Sequence, residues 1–171
     1  MALAGYERAN REILQASLSN PAQRGMGTTM VSAVLYKDRI DIINLGDSRA
    51  YRIRGGKIDQ ISHDQSLVQE LIDSGQLKTP EEIEAFPYKN IITQAMGTQP
   101  TIRPDVFPIP LIEGDIYLLC SDGLFNELRD NEILAIIQAS EKDLKGAAER
   151  LVNQANRYGG HDNITVLLIA P

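Results

Sequence analysis

The chain predicts an α+β fold, two facing antiparallel β-sheets flanked by helices in an αββα sandwich. Three observations predict it. Short β-rich apolar runs follow one another across tight turns, and Gly55-Gly56 between Ala50–Arg54 and Lys57–Ile61 is the strongest hairpin signal. Hairpins dominate over strand–helix–strand units, which favours antiparallel over parallel pairing. Segments of helical period stand at the beginning, middle and end of the chain, where they can cover sheet faces.

Leu3 to Leu18 predicts an amphipathic helix, with Leu3, Tyr6, Ala9, Ile13 and Ala16 at helical spacing, stopped at Asn20-Pro21. Thr29–Tyr36 and Ile40–Leu45 predict strands joined by a turn at Lys37-Asp38-Arg39. Helical patterning resumes at Ser66 and ends at Gly75, and Thr79-Pro80-Glu81-Glu82 predicts a capping box with proline at the first helical position. Residues 100–110 hold four prolines, so a strand there is expected at a sheet edge. Glu113-Gly114-Asp115 turns into the apolar run Tyr117–Cys120; Asp130 is expected to cap a helix through Ala139. A further helix is expected from about Asp143 to Tyr158, ended by Gly159-Gly160, before a last strand over Ile164–Ile169. No repeat, linker or low-complexity tract interrupts the 171 residues, which predict one domain with a real core.

A net charge of −6 and a pI near 4.9 argue against nucleic acid, which needs a basic surface. No apolar stretch approaches the roughly 20 residues of a membrane span, and the N-terminus shows no signal peptide. The single cysteine, Cys120, lies in an apolar run and reads as a buried thiol in a reducing, cytoplasmic setting.

Asp122 is the most informative residue. A carboxylate follows Tyr117-Leu118-Leu119-Cys120-Ser121 and precedes glycine, as at the end of a buried strand. Asp162, in Gly159-Gly160-His161-Asp162-Asn163, precedes another apolar run. Two strands bringing two carboxylates to a glycine-rich rim point to a hard cation, magnesium, manganese or calcium. The plain readings stand beside this one. Asp122 and Asp162 can be turn residues, and Asp64 can be a helix N-cap. His63 and His161 read as neighbours of the acids or exposed rather than catalytic. Gly25-Met26-Gly27-Thr28-Thr29 lacks the lysine and preceding strand of a phosphate loop and reads as a close-packed strand entry.

Six segments, in order and suitably spaced, carry a resemblance: Gly25-Met26-Gly27-Thr28-Thr29, Gly46-Asp47-Ser48-Arg49, Ile61-Ser62-His63-Asp64, Asn90–Gly97, Ser121-Asp122-Gly123-Leu124 and His161–Val166. Together the chain resembles the metal-dependent serine/threonine protein phosphatases of type 2C, specifically their compact bacterial members, over nearly all its length. The resemblance implies that Asp122 and Asp162 are ligands of a core pair of Mg2+ or Mn2+ ions. It implies that Asp64, with Asp122, holds a weaker third. It gives Asp47 and Arg49 a structural role close to the site, places Gly123 and Asn163 in support beside the two acids, and makes residues 67–90 a flap bordering the substrate cleft. The implied reaction is hydrolysis of phosphoserine and phosphothreonine in a phosphoprotein by a metal-activated water.

The family's Asp-Gly-Met-Gly-Gly motif, whose aspartate bridges the two core metals, and the basic residue that holds the phosphate are not in this sequence. The expectation is an N-terminally truncated domain, the C-terminal two-thirds or more, weak or inactive as an isolated chain. Its sheets would have open edges, favouring a homodimer or strand exchange. A non-catalytic type 2C-like binding module is the alternative, and a calcium-stabilised domain of unrelated function a third reading.

Overall fold

The computed structural model describes residues 2–141 and 143–171. In chain order the described residues form α1 (Ala2–Ser19), β1 (Met30–Leu35), β2 (Arg39–Leu45), β3 (Arg49–Arg54), β4 (Lys57–Gln60), α2 (Leu67–Asp73), α3 (Pro80–Ala85), β5 (Asp105–Pro110), β6 (Ile116–Cys120), α4 (Asp122–Phe125), α5 (Asp130–Gln138), α6 (Leu144–Tyr158) and β7 (Val166–Ile169). They fall into two compact units. One comprises the residues up to Met30, Asn44–Asp47 and His63–Asp105; the other comprises Val31–Ile43, Ser48–Ser62 and Val106–Pro171.

The second unit carries the sheets, apart from the tips of β1, β2 and β5. One sheet has the order β1-β2-β5, the other β4-β3-β6-β7. The proline-rich β5 is an edge strand, as its missing N–H donors require. At the β3–β4 hairpin Arg54 pairs with Lys57, and Gly55 (φ 54°) and Gly56 (φ 76°) both take the left-handed conformation that a two-residue turn of this twist demands.

Period-two alternation along β6 separates two cores. Tyr117 and Leu119 point toward Ile40 and Ile42 of β2, Ala50 of β3 and Phe107 and Ile109 of β5, filling the space between the sheets. Leu118 and Cys120 point the other way, with Tyr51 and Ile53, against Leu124, Leu128, Ile133, Ile137 and Leu151 of the helical side. Each large side chain so buried contributes about 1.5–3 kcal/mol. These layers are the predicted α+β arrangement of antiparallel sheets with flanking helices.

α5 differs from expectation at its start. Arg129, not Asp130, is the N-cap, and its N–H donates to Glu132 at 3.0 Å. Asp130 falls inside the first turn, where a carboxylate still interacts favourably with the helix N-terminus. α6 begins where read, with Asp143 as its N-cap, Oδ1 accepting the Gly146 N–H at 2.9 Å.

In the first unit, α1 buries Tyr6, Asn10 and Ser17 and leaves Leu3 exposed, so the buried stripe is partly polar and displaced from the apolar one. Asn10 explains this. Its amide donates to the carbonyl of Gln99 at 2.9 Å and accepts the Gly97 N–H at 2.7 Å. Thr28 bridges Met96, and a side chain on Gly27 would meet the Met96 carbonyl, so the 25–29 segment is the close-packed entry expected. α2 stops in a two-bond glycine motif. Gly75 (φ 70°) donates to Ile72 O and Gln76 donates to Leu71 O, at 2.9 and 2.8 Å. α3 opens on the predicted capping box of Thr79 and Glu82, with Pro80 first in the helix.

Candidate metal centre

Asp122 and Asp162 sit where β6 and β7 part. The ladder pairs Cys120 with Val166. One step on, Ser121 N–H donates to Thr165 O at 3.2 Å. The Ser121 hydroxyl then donates to Asn163 O and accepts the Thr165 N–H, both at 3.0 Å. Asp122 and Asp162 are the next residues outward from this junction. The strand therefore ends at Cys120, and Asp122 opens the one-turn helix α4, which the sequence reading did not include. A tight Asp-Gly turn of four residues is too short to show a helical period.

Each acid is fixed locally. Asp122 Oδ1 accepts the Gly123 N–H at 2.9 Å, and Asp162 Oδ1 accepts the Asn163 N–H at 2.6 Å. Asp122 is half-buried and Asp162 exposed. Neither is ion-paired among the described residues. Asp162 lines an open polar hollow of about 400 Å³, an order of magnitude above the space of one water.

Gly123 leaves room that no other residue would, because a Cβ there would meet the Asn163 carbonyl. Arg49 pairs with Cys120 across the β3–β6 ladder. Its guanidinium lies 3.7 Å from the ring centre of Phe125 in α4 and donates to the Tyr51 hydroxyl at 3.1 Å. Burial pushes the Tyr51 hydroxyl's pKa up, so it stays protonated at neutral pH.

Two neighbours of the acids are held by carboxylates. His161 donates its backbone N–H to Glu127 Oε1 at 3.2 Å, and its ring Nδ1 lies 2.7 Å from the same oxygen. In the first unit His63 Nε2 lies 2.7 Å from Asp73 of α2. These contacts hold Glu127 and Asp73 below the ordinary carboxylate range; for Asp73 the larger cause is the Gln69 amide.

Asp64 is buried in the first unit. The N-cap of α2 is Ser66, so Asp64 is not the helix cap. Its loop is framed on both sides. Asn44 donates to Gly46 O and His63 O at 3.0 and 3.2 Å. Gln65 N–H donates to Gly46 O, and Gln65 Oε1 accepts the Gly46 N–H. Asp47 follows in the same turn. Nothing in the local pattern marked Asn44 or Gln65 in advance, because their partners are backbone groups distant in sequence.

Among the described residues no group of three or more His, Cys, Asp and Glu side chains gathers as a ready-made metal cage. The pair Asp122 and Asp162 offers hard oxygen donors, and this donor set fits a hydrated Mg2+ or Mn2+ that keeps much of its water.

The family model described as protein phosphatase 2C matches residues 6–167. The chain belongs to the protein phosphatase 2C family. It is 39% identical over 163 residues to the serine/threonine phosphatase stp of Listeria monocytogenes serotype 4b, covering 95% of this chain and 64% of that protein. It is 44% identical over 164 residues to the protein phosphatase PhpP of Streptococcus pneumoniae, covering 96% of this chain and 65% of that one. The chain thus spans less than two-thirds of the length of these relatives. Among solved structures, the S. agalactiae serine/threonine phosphatase superimposes with a TM-score of 0.91 at 37% identity, over 99% of this chain and 69% of that one. The catalytic domain of the serine/threonine protein phosphatase PstP, solved in complex with two manganese ions, gives 0.82 at 35% identity, over 93% of this chain and 65% of that one.

Proposed function

We propose that this chain takes part in metal-dependent hydrolysis of phosphoserine and phosphothreonine in a phosphoprotein substrate. The observation that supports the proposal is the Ser121–Asn163 hydrogen bond, which joins the two acid-bearing segments in a member of this family. Bound Mg2+ or Mn2+ would activate a water for attack on phosphorus and neutralise charge on the transferring oxygens.

The chain's own residues hold and shape the site. Asp122 and Asp162 would supply carboxylate oxygens to the core metal ions, and Asp64 would supply one to a weaker third. Gly123 keeps the backbone of the two acid-bearing segments in contact, and Asn163 provides the carbonyl that closes that contact. Asp47 holds the turn beside Asp64's loop, and Arg49 steadies the first turn of α4 through Phe125. Residues 67–90 border the substrate cleft as a flap. Affinity follows the charge and rigidity of the ligand set, so a sparse set of carboxylates would bind metal weakly and turnover by these 171 residues would be low. The acidic charge supports a reading without nucleic acid. Among the described residues no helix is long and apolar enough to cross a membrane. The buried thiol of Cys120 is compatible with a cytoplasmic setting. Exposed Leu167 on the edge strand β7 is a point at which copies can self-associate; a monomer in light scattering at high concentration would exclude this.

The test is hydrolysis of p-nitrophenyl phosphate and a phosphothreonine peptide with Mn2+. Turnover is expected to be low, abolished by chelator, and lost in Asp122→Asn and Asp162→Asn. Metal-independent turnover, or full activity in either variant, refutes the assignment. A non-catalytic binding module is favoured by one observation: each acid accepts the N–H of the residue after it, as a purely structural turn acid does. That reading requires a folded chain without Mn2+-dependent turnover.

A further inference from the structure

We propose that Ser121 is a positioning residue that sets Asp162 against Asp122, with Glu127 as the second anchor of the same loop. The inference rests on the reading of those two aspartates as metal ligands.

The β6–β7 ladder can hold the two acid-bearing segments together only while both chains stay extended. At Ser121 only half of it survives, the Ser121 N–H to Thr165 O, because the next residue opens α4. There the hydroxyl does what the main chain no longer can. It accepts the Thr165 N–H and donates to Asn163 O, both at 3.0 Å, using its single proton and a lone pair together. The link therefore lies one residue from each aspartate.

The other side of Asp162 is tied as well. Glu127 Oε1 receives the His161 N–H at 3.2 Å. Asp162 thus lies between two residues, His161 and Asn163, that are both tethered to the segment 121–127. That same segment carries Asp122. The spacing of the two carboxylates is preset by one short piece of chain rather than by the metal. Outer partners of this kind change metal affinity by roughly tenfold to a hundredfold when removed.

Calorimetric titration of the 171-residue chain with Mn2+ tests this. Ser121→Ala is expected to weaken Mn2+ binding roughly tenfold, and Ser121→Thr, which keeps the hydroxyl, to restore it. Amide exchange at Thr165 should accelerate in Ser121→Ala alone. Wild-type Mn2+ affinity in Ser121→Ala, or a threonine variant as weak as the alanine one, overturns the inference. Should Ser121→Ala fail to fold, Glu127→Ala carries the same expectation, and unchanged affinity there overturns it equally. Asp122→Asn and Asp162→Asn separate the two levels. If they lose Mn2+ while Ser121→Ala keeps it, the positioning role fails and the ligand reading stands. If they bind as wild type, or the wild type takes up no Mn2+, the ligand reading fails and takes the positioning role with it.

Discussion

The carbonyl oxygen of Asn163 stands 2.5 Å from the point where a side chain on Gly123 would begin. The residue after one acid is thus packed on the residue after the other, and the contact is backbone on both sides. Gly123→Ala must push the 162–164 loop away, since a backbone carbonyl cannot swing aside like a side-chain tip. Overpacking of this kind costs about 1–3 kcal/mol. The expected result is a lower melting temperature together with lost Mn2+ affinity, read by calorimetry. A variant with wild-type values for both would contradict the packing.

Acid sensitivity follows from Asp115, buried just before β6 and bonded to Arg54 at 2.6 and 2.5 Å and to the Tyr117 hydroxyl at 3.0 Å. The Arg54 hydrogen bonds hold its carboxyl below the usual range, against the opposing effect of burial. A folded pKa below the unfolded one gives stability that is complete above about pH 4 and is lost as pH falls through the lower folded value. Urea midpoints measured from pH 6 down to pH 2 should decline below about pH 4, and Asp115→Asn should flatten that decline while lowering the midpoint at neutral pH.

Asn44 is fully buried and holds two backbone carbonyls on either side of the Asp64 loop. Its replacement leaves both without that donor. Asn44→Ala should cost about 2 kcal/mol in denaturant unfolding, with faster amide exchange at Gln65. Unchanged exchange there would mean the loop is held by other groups.

α3 depends on its cap more than on packing, for none of its residues is buried. Thr79→Ala removes the oxygen that accepts the Glu82 N–H, at a cost of about 1 kcal/mol to that helix. Hydrogen exchange should rise within Pro80–Ala85 and remain unchanged in β6.

Leu118 is wholly buried in the helix-facing core. Leu118→Ala should lower unfolding free energy by about 3 kcal/mol through the lost apolar contact and the cavity left behind. Leu167→Ala, at an exposed position on β7, should change it little.

Local chemistry accounts for what the sequence alone determined. The Gly55-Gly56 hairpin, the Thr79–Glu82 box, the stop at Gly75 and the edge placement of the proline-rich β5 each arise from neighbours a few residues apart, so pattern and propensity suffice. The unbroken apolar run Tyr117–Cys120 was enough to foresee a buried strand. Asp122 and Asp162 were legible as candidates because each stands where an apolar run meets glycine. Only the tertiary structure decided that Ser121 and Gly123 touch the 163–165 segment, that Asn10 lies buried on α1, and that Asn44 frames Asp64. Those facts rest on hydrogen bonds and close approaches between segments far apart in sequence, and no periodicity records which distant carbonyl a buried amide will find.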